Sequence, residues 1–198
     1  MKKLMLFAAV AAFGLSSVNA QEVKFGAKAG VNFATIGGDV EDADGRTAFH
    51  VGGVAEIMIS DKFSVQPELL YSAQGLQQKE EFEGFTFESK LKLDYINIPI
   101  MAKYYVAEGF SIEAGPQVGF LLSAKEEFEF EGDSEEEDVK DAFNSIDFGA
   151  GVGVGYRMDS GLNFSARYVL GLSNIFEDSG DFSAQNNVIQ VSVGYFFN

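Results

Sequence analysis

One histidine, His50, stands in a chain of 198 residues that contains no cysteine. Any Ser-His-Asp relay, Cys-His pair or histidine-cluster metal site must therefore run through it or not exist. His50 lies in "AFHVGGVAEIMI", with serines and aspartates on other segments as available partners, but no spacing singles out a nucleophile. Residues 125–144, "KEEFEFEGDSEEEDVKDAFN", hold ten acids, and carboxylate oxygens are hard ligands for Ca²⁺ or Mg²⁺. "DADG" looks like the start of an EF-hand loop. Setting Gly45 at loop position six, however, puts Val40 at position one and Val51 at position twelve, and valine ligates nothing. The glycines keep a strict period of two with no helix behind them, so they are not a phosphate loop. No catalytic set, cofactor motif or metal ligand set is legible; the acidic run reads as a solvated surface that bridges cations weakly at most.

That same period of two is the strongest signal in the chain. In "SIDFGAGVGVGYRM", residues 145–158, a glycine occupies every second position from Gly149 to Gly155 and an apolar residue each position between. Strict alternation means an extended strand whose neighbouring side chains point to opposite faces. Seven further runs alternate in the same way: "VKFGAKAGVNF", "AFHVGGVAEIMI", "FSVQPELLYSA", "LKLDYINIPIMAKYYV", "FSIEAGPQVGFLLS", "LNFSARYVLGL" and "NVIQVSVGYFF". In the fourth of these the apolar phase switches at Tyr95/Ile96, which predicts a β-bulge there.

Connections alternate in length too. "SDK", "AEG" and "DSG" are tight turns, while residues 36–47, 74–89, 124–144 and 173–186 read as long loops. Short turns at one end and long loops at the other describe an all-β, eight-stranded, antiparallel, up-and-down transmembrane β-barrel, with the short turns in the periplasm. No later segment is long and apolar enough to cross as a helix, so only a barrel lets this chain span a bilayer. Aromatic residues near run ends, among them Phe25, Phe33, Tyr104, Tyr105, Phe110 and Tyr195, fit interfacial girdles. The rival is a soluble barrel with the apolar faces turned inward; it would leave glycine rows and few charges in water.

Residues 1–20, "MKKLMLFAAVAAFGLSSVNA", pair Lys2 and Lys3 with an apolar run and small residues, Val18 and Ala20, before a cut at Gln21. That predicts a cleavable signal peptide, a Sec-exported outer-membrane protein, and a barrel domain over residues 21–198. Of 14 basic side chains, those two leave with the signal, so 12 face 30 acids and nucleic acid is excluded as a partner. A lumen of eight strands is just wide enough to be filled by side chains, so bulky inward residues need small ones opposite. Lys24, Lys28, Glu56, Glu68, Lys103, Glu113, Asp147, Arg157 and Arg167 fall on inward phases and are expected to pair in a lumen charge network, closing any channel.

The opening "FGAKAGVNFA", the strands "YINIPIMAKYY" and "AGPQVGFLLSAK" and the end "GYFFN" resemble the PorT-like outer-membrane β-barrel family over residues 21–198. The resemblance implies an eight-stranded outer-membrane barrel without an assigned activity; one member is linked to protein secretion, and no motif here carries that role over. Assembly signals of such barrels usually end on an aromatic residue, whereas Asn198 follows Phe197 here; Tyr195 and Phe197 remain the pair for the barrel-assembly machinery to recognise. The expected partners are outer-membrane lipid, that machinery, and an extracellular or periplasmic protein. "EFEGFTFE" and "FEFEG" could extend the barrel as hairpins whose edges bind a partner by strand addition, or merely stiffen the loops. A surface binding or structural role is the leading reading; a lipid-modifying barrel enzyme and a narrow pore are the alternatives.

Overall fold

The computed structural model describes residues 22–40, 44–82, 85–130, 133–177, 180 and 182–197. The signal-peptide segment and Asn198 lie outside them. Nine strands run β1 (Val23–Gly38), β2 (Asp44–Ser60), β3 (Phe63–Phe82), β4 (Phe85–Tyr105), β5 (Phe110–Phe130), β6 (Asp133–Asp138), β7 (Ile146–Arg157), β8 (Leu162–Gly171) and β9 (Ala184–Phe197). Eight of them close a ring: β1 pairs antiparallel with both β2 and β9, and β4 pairs with β5. The short β6 pairs only with the outer part of β5 and stands outside the ring. Closure leaves the wall without free edges, which a bilayer demands.

Three connections at one end are tight, and Gly109 (φ 71°) and Gly161 (φ 89°) supply the left-handed conformation that two of them need. Of the segments read from sequence as long loops, 74–89 and 124–144 are largely strand, whereas 173–186 becomes strand only from Ala184. β3, β4 and β5 are 20, 21 and 21 residues long, about twice the 9–11 residues that cross a bilayer. Their outer halves continue as a sheet beyond the membrane, to which β6 adds a fourth strand.

Outward faces are apolar along the part of the ring next to the tight turns. Phe25, Val31, Val152, Phe148, Phe164 and Val191 are each 41–61% exposed, an arrangement that water would penalise by roughly 25 cal/mol per Å² and that hydrocarbon accepts. Tyr104, Phe110, Tyr156, Tyr195 and Phe197 ring the short-turn end. Tyr105 does not join them: it is buried in the lumen.

Its inward position follows the phase of β4, which does not switch at Tyr95/Ile96. β4 keeps one phase from Leu93 to Tyr105, with Leu93, Tyr95, Asn97, Met101, Lys103 and Tyr105 all buried. The irregularity falls instead on β5, where Tyr95 pairs with Leu121 but Asp94 with Ser123; Leu121 points inward before the bulge and Ala124 after it. Leu93 and Tyr95 are apolar and inward because the outer end of the lumen is itself apolar. There Ile36, Leu121, Phe143, Ile175 and Ala184 pack with them into one cluster. The segments after β6 and β8 close over this cluster, tied by Asn144 Nδ2 donating to Asn174 O (3.0 Å) and Phe176 O (2.9 Å).

Pro67, Pro99 and Pro116 sit in three adjacent strands, where a residue without an N–H cannot donate to the ladder. Registered pairing skips Ala55–Glu56 against Gln66–Pro67, then Glu68–Leu69 against Ile98–Pro99, then Ile100–Met101 against Gly115–Pro116, resuming each time in register. A seam of weakened pairing thus crosses the wall from β2 to β5. Amides of Ala55, Glu68 and Ile100, which face the skipped stretches opposite the three prolines, should exchange with deuterium sooner than those of Ala29 and Val193 in the continuous β1–β9 ladder. Uniform protection across these strands in micelles would remove the seam.

Candidate functional site

The lumen is layered. Nearest the tight turns, the Glu56 carboxylate accepts from the Tyr105 hydroxyl (2.5 Å) and the Ser64 hydroxyl (2.7 Å). Arg157 closes on the same carboxylate and Lys103 Nζ lies 3.5 Å from it. The Arg157 guanidinium also covers the rings of Tyr105 (5.1 Å) and the buried Phe196 (5.9 Å).

One layer further in, Glu68 receives Arg167 Nη2 at 2.7 Å and Nη1 at 3.1 Å, a two-pronged contact that fixes the guanidinium. Lys28 Nζ reaches Glu68 at 3.3 Å and Gln66 Nε2 donates to it at 2.7 Å. Arg167 Nε donates to Glu113 at 2.8 Å. Lys103 links the layers through Gln66 Oε1 at 2.9 Å. One connected set therefore includes Lys28, Glu56, Glu68, Lys103, Glu113, Arg157 and Arg167. It joins residues from seven strands of the ring, as groups withdrawn from water require.

The other two inward charges lie apart. Lys24, at the rim of the tight-turn end, pairs with Glu22 at 3.2 Å. Asp147, nearer the long-loop end, accepts from the Ser173 hydroxyl (2.6 Å) and faces Asn186 Nδ2 at 3.5 Å. Tyr195 and Phe197 are on the outer surface, with ring centroids 6.0 Å apart in an edge-on arrangement.

The glycine row of β7 makes the space for this set. A Cβ built on Gly151 would meet Arg167 Cδ at 3.2 Å and Met101 Cε at 3.3 Å. Gly151→Ala asks only for a small adjustment of flexible side chains, whereas Gly151→Leu pushes Arg167 off Glu68. The expected cost of the leucine variant is about 1–3 kcal/mol from overpacking, read as a lower denaturant midpoint in lipid vesicles. A leucine variant as stable as the parent would show that the glycine row is not needed for packing.

Between the charges and the apolar cluster lies a polar layer that the sequence alone does not reveal. His50 Nδ1 is 2.8 Å from Asn32 Oδ1, and His50 Nε2 is 2.8 Å from Ser192 Oγ. An amide oxygen only accepts, so Nδ1 carries the proton and Nε2 accepts from the serine hydroxyl. That is the hydroxyl–imidazole–amide order of a nucleophile relay. Asn32 is held in turn by its Nδ2 donating to Ser72 Oγ (3.0 Å) and Ala73 O (2.8 Å), and by Gln190 Nε2 (3.2 Å). Register across β2, β1 and β9 assembles the three, and no sequence spacing carries that information. Yet Asn32, His50 and Ser192 are 0%, 1% and 5% exposed. Even a Cβ on neighbouring Gly30 would meet His50 Cε1 at 2.6 Å. A relay needs room about 3 Å from its nucleophile for a reacting atom, and this one has none.

Beyond the membrane, charges pair differently. On one face of the outer sheet Lys92 reaches both Glu127 and Glu136, and Lys125 Nζ is 2.5 Å from Glu136. Hydrogen bonds from Lys125 and Lys92 hold the Glu136 carboxyl below its ordinary value, and the bond to Glu127 raises the Lys92 ammonium. On the opposite face Glu126 stands directly across from Glu137. Val139 N–H donates to Ala124 O, so by antiparallel alternation Asp138, Glu136 and Ser134 turn their backbone groups away from β5, to an edge that no described strand pairs. Among the described residues, no group of three or more His, Cys, Asp or Glu is placed to hold a metal ion.

A family model described as outer membrane protein beta-barrel domain matches residues 19–177. The chain superposes on Ail, the attachment invasion locus protein of Yersinia pestis, with a TM-score of 0.56 and 15% identity over 89% of this chain and 99% of that one. Ail in complex with the heparin analogue sucrose octasulfate gives 0.53 and 14% over 89% and 99%. Neisserial surface protein A, NspA, gives 0.52 and 12% over 90% and 100%. No curated protein matches the sequence. The likeness in fold, with the family model, places the chain in the outer membrane as a barrel of about eight strands.

Proposed function

The chain belongs to the outer membrane protein beta-barrel domain family, and from that premise we propose that it is a closed, non-enzymatic barrel that presents a rigid acidic sheet to a partner outside the cell. The observation that carries this reading is the connected charge set: Glu68, Arg167, Lys28 and Glu113 are all under 5% exposed and bridge the lumen side to side. In this reading they leave ions no continuous path, and the apolar cluster closes the far end. Planar-bilayer recordings of the purified barrel should show no discrete conductance; reproducible unitary steps would establish the pore reading.

The long-loop end faces outward in this proposal, with residues 1–20 removed on export and Tyr195 and Phe197 offered to the barrel-assembly machinery. The finer PorT-like placement rests on "NIPIMAKYY" and "AGPQVGFLL". β6 gives the surface its docking element, a strand whose outer edge is unpaired and can take a further strand. A polyanion such as the octasulfate bound by Ail is a poor match to a chain whose 12 basic side chains face 30 acidic ones once residues 1–20 are removed. A lysine- or arginine-bearing segment is the complementary one.

Ser192, His50 and Asn32 favour one second reading, the lipid-modifying enzyme. A fluorophosphonate probe decides between them. Under the proposal Ser192 stays unlabelled in the folded barrel; labelling that disappears in His50→Ala would make it an enzyme.

A further inference from the structure

Within the connected charge set, a space of about 10 Å³ opens against β5, β7 and β8, the least that admits one water-sized occupant. Its lining is biased in sign. Lys28, Lys103 and Arg157 face it together with Ser111 and Asn163, and Glu113 is its one carboxylate.

The surrounding charges do not cancel. Four cations, Lys28, Lys103, Arg157 and Arg167, share three carboxylates, Glu56, Glu68 and Glu113. Asp147 does not make up the difference, because its contacts are Ser173 and Asn186 in a separate layer. Donors are in surplus as well. Lys28 Nζ meets the Glu68 oxygens only at 3.3 and 3.5 Å, and Lys103 Nζ gives one hydrogen to Gln66 while lying 3.5 Å from Glu56. Each ammonium has three hydrogens to place. Among the described residues Asn163 Nδ2 is buried with no hydrogen-bond partner, and the Ser111 hydroxyl finds only Gly155 O at 3.5 Å. Burying an uncompensated charge and an unmet amide is costly, so both call for an acceptor carrying negative charge.

We propose that this space binds a single small monovalent anion, chloride in saline surroundings, held by the Lys28 and Lys103 ammoniums and the Asn163 amide. The anion balances the lumen charge and reaches its seat from the tight-turn end past Arg157, whose side chain is 20% exposed. Gluconate and sulfate are too large. This site is separate from the surface role proposed above and does not depend on it.

The test refolds the full barrel in zwitterionic micelles at fixed ionic strength, exchanging chloride for gluconate, and soaks crystals in bromide for anomalous diffraction. The unfolding midpoint should rise saturably with chloride or bromide and not with gluconate, and an anomalous peak should lie beside Lys103 Nζ and Asn163 Nδ2. Asn163→Leu should raise the half-saturating chloride concentration at least tenfold, while Lys90→Met, outside the lumen, should leave it unchanged. Should Lys103→Met fail to fold, the Asn163→Leu titration and the bromide peak still decide. Equal midpoints in chloride and gluconate would overturn the proposal. So would a chloride response unchanged in Asn163→Leu, or a bromide peak without saturable stabilisation, marking an adventitious ion only.

Discussion

Glu68→Ala is expected to lower the unfolding free energy of the barrel by about 3–5 kcal/mol, the cost of stranding buried charge when one partner is removed. Glu68 is 3% exposed and is the acceptor for both Lys28 and Arg167. Without it, among the described residues, Lys28 loses its salt-bridge partner and Arg167 keeps Glu113. The double variant Glu68→Leu/Arg167→Leu separates burial of charge from loss of packing. It leaves Lys28 and Glu113 as an opposite pair and replaces two charges by apolar volume, so at least half of the lost stability should return. Denaturant titration in lipid vesicles, followed by far-ultraviolet circular dichroism, measures both. A Glu68→Ala barrel within 0.5 kcal/mol of the parent, taking roughly that value as the limit for an indifferent surface change, would mean the lumen is wet enough to solvate the cations.

Val152→Lys is expected to cost about 2–4 kcal/mol, the penalty for a cation on the lipid face at mid-membrane. Val152 lies halfway along β7 and is 59% exposed on the outward face. In a water-soluble protein an exposed valine accepts lysine freely, so this substitution separates two readings that solvent exposure alone does not. Glu135→Lys, on β6 beyond the membrane, should change stability by no more than about 0.5 kcal/mol. Equal, small effects at both positions would place water on both.

Much of this architecture is legible in the residues, and the parts that are not share one cause. Alternation from Ile146 to Arg157 reports a strand and its two faces directly, because glycine and charge mark the lumen while valine and phenylalanine mark the lipid. It reports polarity, though, and direction only by inference. At Leu91, Leu93 and Tyr95 the inference reverses, since the outer lumen is lined by Ile36, Leu121 and Ile175 rather than by charge. Tyr105 misleads for the opposite reason: its hydroxyl serves Glu56 inside while its ring suggests a girdle outside. The acidic segments look like loops because strand propensity is low for Glu and Lys. Cross-strand pairs such as Lys92 with Glu127 and Lys90 with Glu129 build strands there all the same. Asn32, His50 and Ser192 sit on inward phases in the sequence, yet only the registers Gly30↔His50 and Gly30↔Ser192 bring them to one level.

The account stands on apolar side chains that look into lipid. The chain has no tryptophan, so one introduced at Val191 or Phe164 is a clean reporter of what surrounds those positions. In bilayers of lipids brominated near the middle of the chain, both reporters should be strongly quenched, and aqueous iodide should have no effect on them. Quenching by iodide with indifference to brominated chains would contradict the account.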